Sequence, residues 1–223
     1  MNKILKMFLG IFVTFLVLMI SGGIEITLKS LSISIPEGVG SQFGILIISI
    51  LLIFLFSRKQ IIKFNISKLK IRQLIYPIGL TVLLSILIYL FSMIVGNENH
   101  PSATSMSVLQ QLIFIVFFAS LSEELLFRGF LQNMLEPIRS CGINISNIRL
   151  SLPVIISGVL FGIMHFALVS TGASFSLVIQ IVVSAMLLGM IAGFFQEKHN
   201  NFTFAFIVHM TANLSGLIIS IVL

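Results

Sequence analysis

All seven acidic side chains of this 223-residue sequence are glutamates, and two of them are adjacent where charge is costly. Ser122-Glu123-Glu124-Leu125-Leu126-Phe127-Arg128-Gly129 lies inside an apolar run from Val108 to Glu136. An ionisable side chain near the centre of a membrane helix costs about 2.5–3.5 kcal/mol of insertion free energy, so three cost on the order of 8 kcal/mol before pairing. Glu124 and Arg128 are i,i+4 with the acid N-terminal, the order that favours pairing on one helical face. Glu123 is turned by about 100° from Glu124 and has no partner on its own helix. It needs water, or partners from other helices.

Few such partners exist within apolar runs. His165 follows Phe161-Gly162-Ile163-Met164, and His209-Met210-Thr211-Ala212-Asn213 carries an imidazole and an amide at i,i+4 spacing. His100 and His199 fall in loops and read as solvated surface. A buried Glu can take a proton from water as general base. A His, an Asn or a helix dipole can stabilise the oxyanion that forms when water attacks a carbonyl, and an imidazole can return the proton to a departing amine. Glu123, His165, His209 and Asn213 therefore suffice for hydrolysis of an amide. Structural readings stand beside this one: Glu124–Arg128 as a clamp, each His as an interhelical hydrogen bond, Asn213 as helix glue.

Those residues must be held by membrane helices. The chain is 57% hydrophobic and 9% charged, with mean hydropathy +1.15; a soluble domain carries about 25% charged residues. A soluble enzyme and a disordered chain are both excluded. The net charge of +6 does not point to nucleic acid, because the basic residues sit in short loops between apolar runs. A single cysteine, Cys141, excludes an internal disulfide and a Cys-based zinc cluster, and the lack of Asp excludes Asp dyads.

Crossing a bilayer takes about 20 mostly apolar residues as a helix. Seven runs qualify, at roughly 4–20, 43–56, 74–95, 108–136, 151–169, 175–195 and 202–222. The second is short and should begin before Phe43 or continue past Phe56. No strand signal stands out. The expected fold is an all-α, polytopic transmembrane bundle of about seven spans, a single membrane domain over 1–223 with its motif-bearing core at 108–222. With the N-terminus in the cytoplasm, 11 of 13 Lys and Arg fall on the inside, against Lys29 alone on the outside; this predicts N-in, C-out. The 57–73 linker, with six of those cations, reads as a topology signal in contact with anionic lipid. Lys3, Lys6 and Ser21-Gly22-Gly23 around the first run also fit a cleaved signal peptide. Gly158 with Gly162 and Gly189 with Gly193 form small-xxx-small pairs that permit close helix approach. Pro153 suits the first turn of a helix capped by Ser151.

Glu123-Glu124-x-x-x-Arg128, Phe161-x-x-x-His165 and His209-x-x-x-Asn213, in this order on separate helices, resemble the CAAX prenyl protease and bacteriocin-processing (Abi) family of intramembrane peptidases. The resemblance covers roughly residues 108–222. It implies an all-helical bundle in which Glu123 activates water with His165 while His209 and Asn213 hold the oxyanion. Glu124, Arg128 and Phe161 then support those four. Implied partners are a peptide or lipid-modified protein substrate and membrane lipids, in a multi-pass protein of the cell membrane.

No cofactor is expected. The family has often been labelled metalloprotease, and Glu123, His165 and His209 are the side chains that could serve as zinc ligands, but no His-Glu-x-x-His is present. A non-catalytic binder, such as an immunity protein against a peptide toxin, is the alternative function. A small transporter with a Glu/His proton relay is a third. Counting 1.5 Å per residue from the span ends puts Glu123 near mid-membrane, His209 nearer the inside and His165 nearer the outside. With those boundaries the three groups would not meet.

Overall fold

A computed structural model describes residues 2–56, 69–96 and 106–222. Residues 57–68 of the basic linker and His100 lie outside the described residues. The described residues are 83% helical, which makes the protein an all-α polytopic bundle. Its helices are α1 (Lys3–Ser30), α2 (Val39–Phe56), α3 (Ile71–Val95), α4 (the rod 108–134), α5 (Leu152–Ile163, continuing as 3-10 helix through Met164–Thr171), α6 (Phe175–His199) and α7 (Phe202–Val222). Among the described residues, six of these are long and apolar enough to cross a membrane. The protein is a multi-pass membrane protein.

The seventh rod, α4, is continuous but not regular. Gln111–Ala119 and Leu125–Leu131 are π-helical, and α-helical Ser120–Glu124 lies between them. The second span does begin before Phe43, at Val39, while the first runs well past residue 20 to Ser30. Glu25 explains both ends. Its carboxylate accepts from Gly38 N at 2.9 Å and Ser41 N at 3.1 Å, filling the role of a cap for the free amides at the start of α2.

The absence of strand signal is corrected in the 137–150 linker. Gly142–Ile145 (β1) and Ile148–Ser151 (β2) form an antiparallel hairpin, with Gly142 opposite Ser151. Ile143, Asn144 and Ile145 alternate as a strand does, but four residues are too short a signal to separate from loop. Ser146, at φ 53°, makes the reversal. Ser151 then caps α5, accepting from Val154 N, with Pro153 in the first turn as its type dictates.

The joints of the last three helices fix their approach. Gly172, at φ 85°, ends the 3-10 extension of α5. Asn200, at φ 47°, ends α6 in the left-handed region, and Asn201 Oδ1 accepts from Thr203 N to start α7. Two residues thus turn α6 directly into α7. His199 is corrected by this geometry. It is not a loop residue in solvent but the last of α6, stacked on Phe204 at 4.0 Å between ring centroids and 10° between planes.

Alpha5 and α6 touch through their glycines. A Cβ on Gly189 would lie 2.9 Å from Gly158 Cα and 2.7 Å from Arg128 Nη2, and one on Gly193 would lie 2.9 Å from Gln132 Oε1. The small-residue stripe therefore brings two backbones together and also leaves room for the polar side chains of α4.

Candidate active site

The site begins with the irregular register of α4. The α-helical turn Ser120–Glu124 turns both glutamates inward, and both are buried, Glu123 at 6% and Glu124 at 0% exposure. Arg128, also at 0%, places Nε 3.1 Å from Glu124 Oε2. Its guanidinium carbon stands 4.7 Å from the centre of the Phe161 ring, a cation–π contact in a water-poor setting. The i,i+4 pair expected from sequence is thus formed, and an aromatic face from α5 shares its charge.

His209, two turns into α7, enters between the two carboxylates. Its Nδ1 lies 2.9 Å from Glu124 Oε1, and its Nε2 lies 3.9 Å from Glu123 Oε2. A carboxylate accepts only, so Nδ1–H donates to Glu124 and the ring is oriented by that bond. Glu124 therefore does two things: one oxygen faces Arg128 and the other fixes the imidazole. Spacing on α4 alone showed the first link and could not show the second, which crosses to another helix.

Glu123 finds the off-helix partners that it needs. Besides His209, Gln42 of α2 donates from Nε2 to Glu123 Oε1 at 2.7 Å. Ser122 Oγ donates to Gln42 Oε1 and also lies 3.0 Å from Ala119 O. Gln42 and Ser122 were missed in the sequence. Both are common residue types with no motif of their own, and only Glu123's lack of a local partner hinted that some such group must exist.

His165 is half-buried at the start of the 3-10 extension of α5, with Nδ1 2.9 Å from Phe161 O. A carbonyl cannot donate, so Nδ1 carries the proton and Nε2 is left as the free nitrogen of the neutral ring. The Phe161 ring is the common platform: its centroid is 5.3 Å from the His165 ring and 5.3 Å from the His209 ring, both edge-on. The centroids of the two imidazole rings are thus separated by no more than twice that distance. Both imidazoles therefore flank one aromatic ring, which narrows the expected mismatch of depth. Helix ends differ from the sequence boundaries, and α5 changes to the longer-rise 3-10 form just before His165.

Asn213 lies one turn beyond His209. Its Nδ2 donates to Ile115 O at 3.1 Å and to Ser120 Oγ at 3.0 Å. The first bond meets a carbonyl in the π-helical stretch; the second ties α7 to the turn that carries Glu123. Both amide hydrogens are committed in this arrangement.

Among the described residues, no set of three His, Cys or Glu side chains has the geometry to hold a metal ion. His209 Nδ1 is taken by Glu124 and His165 Nδ1 by Phe161 O, so one nitrogen of each ring remains.

The family model of the type II CAAX prenyl endopeptidase Rce1-like proteins matches residues 105–215, a stretch that includes all three motifs. No curated protein and no solved structure gives a match to the chain. The family is one of proteases, and its matched segment covers α4 to α7, the helices that carry the glutamates, the imidazoles and Asn213. Through residues 105–215 the chain belongs to the type II CAAX prenyl endopeptidase Rce1-like family.

Proposed function

We propose that this protein is an intramembrane endopeptidase that hydrolyses an amide bond in a membrane-associated peptide or protein tail, with Glu123 as general base. The observation that carries the reading is the placement of the His209 imidazole between adjacent buried carboxylates, held by Glu124 and open at Nε2 toward Glu123. A water molecule beside Glu123 Oε2 gives its proton to the carboxylate as its oxygen attacks the substrate carbonyl. His165, with Nε2 free, accepts from the same water and aligns it. The proton then passes to the leaving nitrogen as the C–N bond breaks, giving one carboxylate and one amine.

The tetrahedral oxyanion is held by His209 and Asn213. His209 donates from Nε2 when both of its nitrogens are protonated, with Glu124 compensating the imidazolium charge. Asn213 donates an amide hydrogen now spent on Ser120 Oγ, an exchange that substrate binding must bring about. Phe161 and Arg128 keep the rings and Glu124 in place. The family's substrates make a lipid-modified protein tail with a C-terminal scissile bond the substrate class to test first.

The test uses detergent-purified protein, wild type and Glu123→Gln, with a library of free and prenylated peptides, read by mass spectrometry. The proposal expects defined cleavage by wild type and none by the variant, with normal insertion of both. A membrane immunity protein that works by binding gives the opposite: Glu123→Gln keeps protection, and bulky substitutions on an interhelical face lose it.

A further inference from the structure

We infer that Gln42, on α2 and outside the segment that carries the family match, is a positioning residue for the Glu123 carboxylate. The inference rests on the peptidase reading above and deepens it. Gln42 Nε2 donates to Glu123 Oε1 at 2.7 Å, while the hydroxyl of Ser122, the residue next to Glu123, donates to Gln42 Oε1. The contact with the carboxylate fixes which way the amide faces. With the amide reversed, its oxygen would meet an ionised carboxylate oxygen, so one favourable contact would become a repulsion, whereas the Ser122 hydroxyl can accept as readily as donate. The carboxylate thus sets the face of the amide, the Ser122 hydroxyl holds the amide oxygen, and the amide in turn holds Oε1.

The consequence for chemistry is a division of labour between the two carboxylate oxygens. Oε1 is held by Gln42, so Oε2, 3.9 Å from His209 Nε2, is the oxygen left to receive a proton from water. Without Gln42 the carboxylate rotates about its last bond, and the fraction of time Oε2 spends beside the attacking water falls. General-base catalysis requires that geometry before anything else.

Gln42 is itself well seated for this. It lies one turn into α2, next to the amides of Gly38 and Ser41 that bond the Glu25 carboxylate. Its neighbour Phe43 packs against Phe118 of α4 with ring centroids 4.4 Å apart. Glu25 anchors the start of α2 along its axis, and the aromatic pair anchors it against the helix that carries Glu123. The first two helices, which hold no catalytic motif, therefore belong to the active site through one amide.

Steady-state kinetics on a peptide that wild type cleaves in the library test this, with Gln42→Leu, Ser122→Ala and Glu123→Gln side by side and thermal unfolding in detergent as the check on folding. A hydrogen bond to a charged group corresponds to a factor on the order of tenfold to a hundredfold. Gln42→Leu is expected to lower kcat by about that factor with KM unchanged, because the amide touches the base and not the substrate. Ser122→Ala removes the hydroxyl that holds the amide oxygen, loosens the amide against Glu123, and is expected to lower kcat severalfold, also at constant KM. If Gln42→Leu fails to fold, Ser122→Ala decides. Unchanged kcat in the folded variants, or a rise in KM alone, overturns the inference. If those variants behave as wild type while Glu123→Gln is dead, the peptidase reading stands and only the role of Gln42 falls. Full activity of Glu123→Gln, or no cleavage by wild type, removes both.

Discussion

Alpha3 and α4 are of similar length, yet they solve the membrane in opposite ways. Alpha3 turns Ile75, Leu83, Ile86, Leu87 and Leu90 outward, and its polar side chains Thr81, Ser85 and Ser92 bond back to carbonyls of their own helix. It asks nothing of its neighbours except shape. Alpha4 carries three ionisable groups, all buried, and each finds a partner from α2, α5 or α7 or along its own helix. Lipid tails solvate an apolar helix about as well as another helix does, so only polar obligations fix a unique arrangement. The difference teaches where function has to be: the helix that cannot be satisfied by lipid is the one that organises the bundle and holds the chemistry.

That contrast can be broken most severely at Glu123. Glu123→Gln keeps the size and the Gln42 contact region but cannot accept a proton, and should lower the rate of peptide cleavage by about 10²–10⁴-fold. The next effect concerns stability. Arg128→Met leaves the Glu124 charge buried without its cation and should destabilise the detergent-solubilised protein by about 3–5 kcal/mol, read from thermal or denaturant unfolding. Adding Glu124→Gln to Arg128→Met should restore part of that stability but not activity, because Glu124 also orients His209. Gly189→Ala forces a methyl against Gly158 Cα and the Arg128 guanidinium and should cost about 1–3 kcal/mol in the same assay. At the other extreme, Leu83→Ala or Leu87→Ala on the outward face of α3 should change stability by no more than about 0.5 kcal/mol and leave turnover alone. An α3 substitution as damaging as Arg128→Met would erase the distinction.

Much of this was legible in the sequence, for physical reasons that can be named. Runs of apolar residues marked the spans because nothing else satisfies a helix in lipid. The cost of charge in such a run singled out Glu123, Glu124 and Arg128, and i,i+4 spacing paired the last two. Gly158 and Gly189 announced a close crossing, and the crossing is there. What stayed hidden depended on contacts far apart in the chain. The Glu124–His209 and Gln42–Glu123 hydrogen bonds join residues 85 and 81 positions apart, and no local pattern encodes them. The π-helical stretches of α4 and the hairpin at 142–151 have weak local signatures. The span ends were misjudged because they were read from hydropathy, whereas Glu25, Ser151 and Asn200 mark the real helix ends by capping and backbone conformation.

The central claim is that one buried carboxylate activates water in this bundle. The most direct measurement is cleavage of a library-selected peptide in heavy-oxygen water by wild type and Glu123→Gln, each with a strong chelator present, followed by mass spectrometry of the products. The account predicts that wild type cleaves under chelation and adds one heavy oxygen to the new carboxyl group, while the variant yields no product. Comparable cleavage by the variant, or wild-type activity lost to the chelator and restored by zinc, would contradict it.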